Sequence, residues 1–144
     1  MSADDPRQVL RSIHEAMNKR DLDKAVSFFA DDVVSVGPEG TFKGKAEVRR
    51  YFEWTLNQAT EFKLTETGIY AEGNVVTHEY VIAETLKEGK MSLPAVAVAE
   101  IKNGKVQRIR SYYDRLAVAK QLARGVIATR AVNSIIGQME KGLR

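Results

Sequence analysis

The chain has 144 residues, 44% of them apolar and 28% charged, with a formal net charge of +3. That length suits one domain able to bury about two thirds of the surface its unfolded form exposes, and no apolar run approaches the ~18 residues that a membrane-spanning helix needs. With no cysteine, disulfide frameworks, thiolate metal sites and cysteine nucleophiles are excluded together.

The N-terminus, Met-Ser-Ala-Asp-Asp-Pro, is acidic and lacks an apolar signal core, so a cytoplasmic location is the expectation. Residues 6–19 read as a first helix, because Val9, Leu10, Ile13 and Met17 recur on one face and Pro6 suits the first turn. Asp21 is a good N-cap for a second helix over 22–30, with Asp23 favourable to its dipole. Ala25, Val26, Phe28 and Phe29 give that helix its apolar face. Asp31 and Asp32 then lead into Val33-Val34-Ser35-Val36, a short strand stopped by Gly37-Pro38. A third helix is expected over 45–59, where Val48, Tyr51, Phe52, Leu56 and Ala59 share a stripe with Trp54 at its edge.

From residue 61 the period changes to two. Turn signals at Gly73-Asn74, Glu88-Gly89 and Asn103-Gly104 separate candidate strands at 62–70, 75–86, 91–101 and 105–113. Helices first and a meander afterwards predict an α+β fold, with helices packed on one face of a curved sheet. The rest of the chain, through Leu116, Ala119, Leu122, Val126, Ile127, Ile135, Ile136 and Met139, suggests one or two amphipathic helices loosened near Gly125 and Gly137.

Charge is unevenly shared. Arg115, Lys120, Arg124, Arg130, Lys141 and Arg144 stand against Glu140 in residues 115–144, a net +5 that leaves −2 for residues 1–114. Such a tail could pack on a partner subunit, an anionic membrane or nucleic acid. Its alanines and branched aliphatics, and its lack of aromatics, favour packing between protein chains over membrane or nucleic acid. The two histidines, His14 and His78, form no metal-ligand spacing, and no metal or cofactor is expected.

The run from Asn18 to Gly44, the hairpin Ile101-Lys-Asn-Gly104-Lys-Val106 and the closing Tyr112-Tyr113-Asp114 together resemble the SnoaL-like, nuclear-transport-factor-2-like superfamily, which includes the ketosteroid isomerase-like proteins. The resemblance covers residues 7–120. It implies a cone-shaped, strongly bent mixed sheet around the N-terminal helices (residues 1–120), an apolar pocket, and a homodimer through the outer sheet face. Residues 121–144 would be an added helical extension that joins the dimer contact. The superfamily holds isomerases, epoxide hydrolases, polyketide cyclases, dehydratases and non-catalytic binders, so fold alone does not choose a function.

The resemblance also tests particular positions. The base of ketosteroid isomerases is an aspartate before a proline, and Gly37 stands there, before Pro38; the oxyanion-hole positions fall near Ile13 and Ala97, which carry no donor. The arginine and two aspartates of limonene-type epoxide hydrolases fall near Glu79, Val81 and Ser111, so that set is absent as well. A one-residue gap near Gly89 would shift the first two of these.

The same register turns Thr77, Glu79 and Val81, Ala95, Ala97 and Ala99, and Ile109, Ser111 and Tyr113 inward, and His78, Tyr80, Glu100, Arg108, Arg110 and Tyr112 outward. Glu79 would then be an acid or base raised by apolar surroundings, or an exposed strand carboxylate if the register slips by one. Ser111 and Tyr113 would hold a ligand oxygen or serve as plain sheet residues. Tyr51, Trp54 and Ala97 would line the pocket, and Asp114 would cap a helix from Arg115. Two functions follow: cofactor-free cyclisation, isomerisation or dehydration of an apolar small molecule, or its binding without catalysis.

Overall fold

The computed structural model describes residues 5–143; residues 1–4 of the acidic N-terminus and Arg144 of the basic tail lie outside the described residues. Helix α1 (Arg7–Asn18) buries Leu10, Ile13 and Met17 of the stripe read from the sequence, with Ala16 beside them and Val9 half-buried. A turn through Arg20, at φ 58°, leads to α2 (Leu22–Ser27), where Asp21 accepts from the Lys24 amide as N-cap. The Arg20 guanidinium also donates to the Leu56 and Ala59 carbonyls. It thereby fixes this corner against the end of α3 (Lys45–Gln58).

Strands β1 (Phe29–Gly37), β2 (Gly40–Lys43), β3 (Ala59–Glu72), β4 (Val75–Leu86), β5 (Gly89–Lys102) and β6 (Lys105–Tyr113) form one sheet in the order β2-β1-β6-β5-β4-β3. Only β1 and β6 run parallel. The second helix is shorter and the first strand longer than the sequence suggested, because Phe29 already pairs with Val106 and an irregularity between Phe29 and Val34 carries Asp31 and Asp32. The small edge strand β2 was not expected. Its residues Thr41 and Phe42 pair with Val36 and Ser35. Bulges between Ala59 and Glu61, and between Glu66 and Gly68, interrupt β3, and bulges bend a strand. The curved sheet closes over α1 and α3, with Phe29, Val33, Val48, Val76, Ala99 and Val106 in the core between them.

One expectation is corrected. Leu86 pairs with Gly89 across the two-residue turn Lys87-Glu88, which sets His78 opposite Ala97 and Tyr80 opposite Ala95. Ala97 in turn pairs with Ser111, and Ala95 with Tyr113. Residues directly opposite share a face, so an inward Ala97 requires an inward His78. His78 (1% exposed) and Tyr80 (8%) are buried, whereas Glu79 is exposed on the outer face. The Gly89 hairpin holds the one-residue shift that reverses the whole strand. Arg108, Arg110 and Tyr112 keep the outward position expected of them.

Helix α4 (Arg115–Leu122) begins at Asp114, whose Oδ1 accepts from the Leu116 and Ala117 amides. The Gln121 amide both donates to and accepts from the Ser92 backbone, at 2.9 and 2.8 Å, and ties α4 to β5. Helix α5 (Gly125–Met139) starts where Gly125 adopts φ +81°. It runs through Gly137 without the break expected there. Among the described residues no helix is long and apolar enough to cross a membrane.

Candidate active site

A cavity of about 310 Å³ lies between α1, α3, the concave face of the sheet and α4. Tyr51, Trp54, Ala97, Ser111 and Tyr113 all line it, as their pattern implied; Glu79 does not. The turn parity that removes Glu79 brings in His78, Tyr80, Ile82 and Glu84 from the same strand. Seven Phe, Tyr and Trp rings make the wall largely aromatic, and the charged groups among the lining residues are Glu39, Glu84 and Arg115.

Glu39 comes from the β1–β2 turn. Its Oε2 accepts from the Tyr51 hydroxyl at 3.2 Å and lies 3.6 Å from where a β-carbon on Gly37 would stand. A carboxylate thus stands beside position 37, carried by a residue two places on. Burial, helped by the charge of Glu39, pushes the Tyr51 hydroxyl well above its ordinary range. Burial and then the Glu39 charge also raise the Glu84 carboxyl. Arg115 donates to the Pro38 carbonyl at 3.3 Å and is exposed.

His14 and His78 stack with ring centroids 4.2 Å apart, and Tyr80 meets His14 edge-on at 4.6 Å. Nε2 of His78 is 3.0 Å from Glu66 Oε2, and Arg11 grips that carboxylate through Nε and Nη2 at 3.0 and 2.9 Å. A carboxylate only accepts, so Nε2 carries the proton and Nδ1 keeps its lone pair. Nδ1 of each histidine is buried without a partner among the described residues. Burial, with the neighbouring His78, pushes His14 down to about 3. Burial lowers His78 too, against the opposing pull of Glu66. Both imidazoles are therefore neutral at pH 7. Burial pushes the Tyr80 phenol up to about 12, despite its bond to Ser111, so Tyr80 remains a hydrogen-bond donor.

Among the described residues no three His, Asp or Glu side chains gather as a metal site. The sequence reading missed His14, Glu39, His78, Tyr80 and Glu84. For the three on β4 the signal was the length of the Lys87-Glu88 turn; for Glu39 and His14 only the folded geometry shows what they face.

Residues 9–109 match the SnoaL-like domain family. No curated protein sequence matches the chain. Among solved structures, a hypothetical protein of ketosteroid isomerase-like fold from Catenulispora acidiphila, in complex with trimethylamine, superposes with a TM-score of 0.75 at 19% identity over 81% of this chain and 93% of its own. A candidate polyketide cyclase from Xanthomonas campestris gives 0.75 at 21% identity over 81% and 96%. An epoxide hydrolase of the limonene-hydrolase-like kind from M. tuberculosis gives 0.73 at 20% over 88% and 95%. At such identities the likeness establishes the fold and leaves the chemistry open.

Proposed function

The chain belongs to the SnoaL-like domain family, and from that premise we propose that it takes an apolar small molecule into the cone cavity and acts on it by cofactor-free acid–base chemistry, such as isomerisation, cyclisation or dehydration. The observation that carries this reading is the Glu39 carboxylate beside Gly37, facing an aromatic cavity and held by Tyr51. Glu39 takes a proton from the carbon next to a ligand carbonyl. The oxygen that then gains charge receives hydrogen bonds from the hydroxyls of Tyr80, Ser111 and Tyr113, in surroundings where such bonds are strong. Glu84, biased toward its protonated form, gives its own proton to a second position, and exchange with solvent then strips Glu39 of its proton and restores that of Glu84. A carboxyl whose surroundings favour its protonated form can serve as the acid while a second carboxylate serves as the base.

Deuterium uptake tests the proposal. Apolar cyclic ketones such as 1-tetralone, incubated with the protein in D₂O, should gain deuterium next to the carbonyl faster than in buffer, and Glu39→Gln should slow that gain by about 100-fold. A ketone that binds but exchanges no faster than in buffer would sink the enzymatic reading. What then stands is a binding module, which Ile13 and Ala97 favour, since both line the cavity where isomerases place their donors. A homodimer belongs to the same proposal, supported by exposed Tyr70 (58%) and Tyr112 (54%) on the outer sheet face and by exposed Ile127 and Met139 on α5.

A further inference from the structure

Glu84 has no hydrogen-bond or ion-pair partner among the described residues, although it is half-buried and lines an apolar cavity. An ionised carboxylate in such a place is costly unless a cation meets it. Glu39, on the same cavity, is bonded only to the uncharged Tyr51. Among the described residues the one lining cation, Arg115, is exposed and bonded to the Pro38 carbonyl, and no lysine lines the cavity. With His14 and His78 neutral, Glu39 and Arg115 balance while Glu84 is protonated, and the lining gains a net negative charge when Glu84 ionises.

The wall beside Glu39 is also of a kind that favours cations. Trp54 stacks on Tyr51 with ring centroids 5.9 Å apart and planes 24° from parallel, and Phe42 stacks on Tyr51 from β2 at 4.8 Å. Aromatic faces attract an ammonium through their quadrupoles, Trp most strongly. A neutral hydroxyl gains a hydrogen bond from an unpaired carboxylate where an ammonium gains a charge pair as well, and an anion is repelled by it.

We infer that the ligand of this cavity is a protonated amine on an apolar skeleton, its ammonium held by Glu39 and Glu84 and faced by the Tyr51 and Trp54 rings. The inference rests on the cavity's being a small-molecule site, and it names the ligand's charge. An ammonium at Glu84 draws that carboxyl back toward its ionised form, so amine binding and proton uptake compete there. Amine affinity therefore rises with pH through the Glu84 titration, while the affinity of a neutral ligand stays level.

Three probes with one skeleton separate the charges: 2-naphthylmethylamine, 2-naphthylmethanol and 2-naphthoate, titrated calorimetrically at low salt. The amine should bind about tenfold or more tightly than the alcohol, and the naphthoate weakest of all. Glu84→Gln should reduce the preference for amine over alcohol to about threefold or less, and an unaltered far-ultraviolet spectrum shows that the variant is folded. Alcohol or naphthoate binding as tightly as the amine overturns the inference and leaves the small-molecule site standing. If none of the three binds, the site itself fails, and the inference with it.

Discussion

His14 and His78 connect the site to the stability of the whole protein. In the unfolded chain both titrate near the ordinary histidine value of about 6.5, whereas burial holds them neutral in the fold, His14 down to about 3. As pH falls below the unfolded value, the unfolded chain takes up protons that the native protein refuses. Stability is therefore full above about 6.5 and is lost on acidification, at up to ~1.4 kcal/mol per pH unit for each such histidine. For His14 the loss continues to about 3. Denaturant melts between pH 7 and 4 should show this slope, and His14→Phe should flatten it; an unchanged slope in that variant would mean that other groups set it. At the same scale, the cavity residues Tyr51, Trp54, Ala97, Ser111 and Tyr113 were legible, because apolar stripes and the β5–β6 hairpin fixed their faces. Glu79 was misread and His78 missed through a single parity. Each would sit equally well on a half-buried strand, and only the turn at Lys87-Glu88 decides between them.

At the scale of elements, α4 is the movable side of the cavity. Its Val118 and Leu122 line the cavity, yet the helix has no buried residue and its hold on the body includes the Asp114 cap and the Gln121 clamp on Ser92. Replacing Asp114 with Ala removes the carboxylate oxygen that accepts from two first-turn amides and should cost about 1 kcal/mol of helix stability. Because the rest of the cone does not depend on that turn, the thermal midpoint should fall by only a few degrees, while dissociation of a bound ligand quickens. Stopped-flow displacement measures this; an unaltered dissociation rate would show that ligands leave by another side. The long helices and the four-strand meander were readable here, since periodicity over ten or more residues is a strong signal. Strand β2 was not, because its four residues Gly40–Lys43 are too few to show a period, and the early start of β1 was not, because Phe29 takes its partner, Val106, from far away in sequence.

At the scale of the whole molecule, α5 is the part the cone does not account for. Ile127, Ala131, Ile135 and Met139 follow one another at four-residue spacing, a ridge along one side of the helix, and Ile127 is 87% exposed, Ile135 51% and Met139 72%. Leaving such a ridge in water forgoes roughly 1.5–3 kcal/mol for each large side chain. The tail's net +5 against −2 elsewhere makes the body of a second copy an attractive surface for it. The 144-residue chain should therefore run as a dimer, and Ile127→Glu should weaken association by about 2 kcal/mol, close to 30-fold in Kd. Since α5 supplies no buried residue to the cone, the same change should leave the far-ultraviolet spectrum and the ligand affinity of the monomer unaltered. Light scattering across a concentration series separates the outcomes. A variant that dimerises as tightly as the unaltered chain would remove α5 from the contact and leave the outer sheet face, with Tyr70 and Tyr112, to hold it alone.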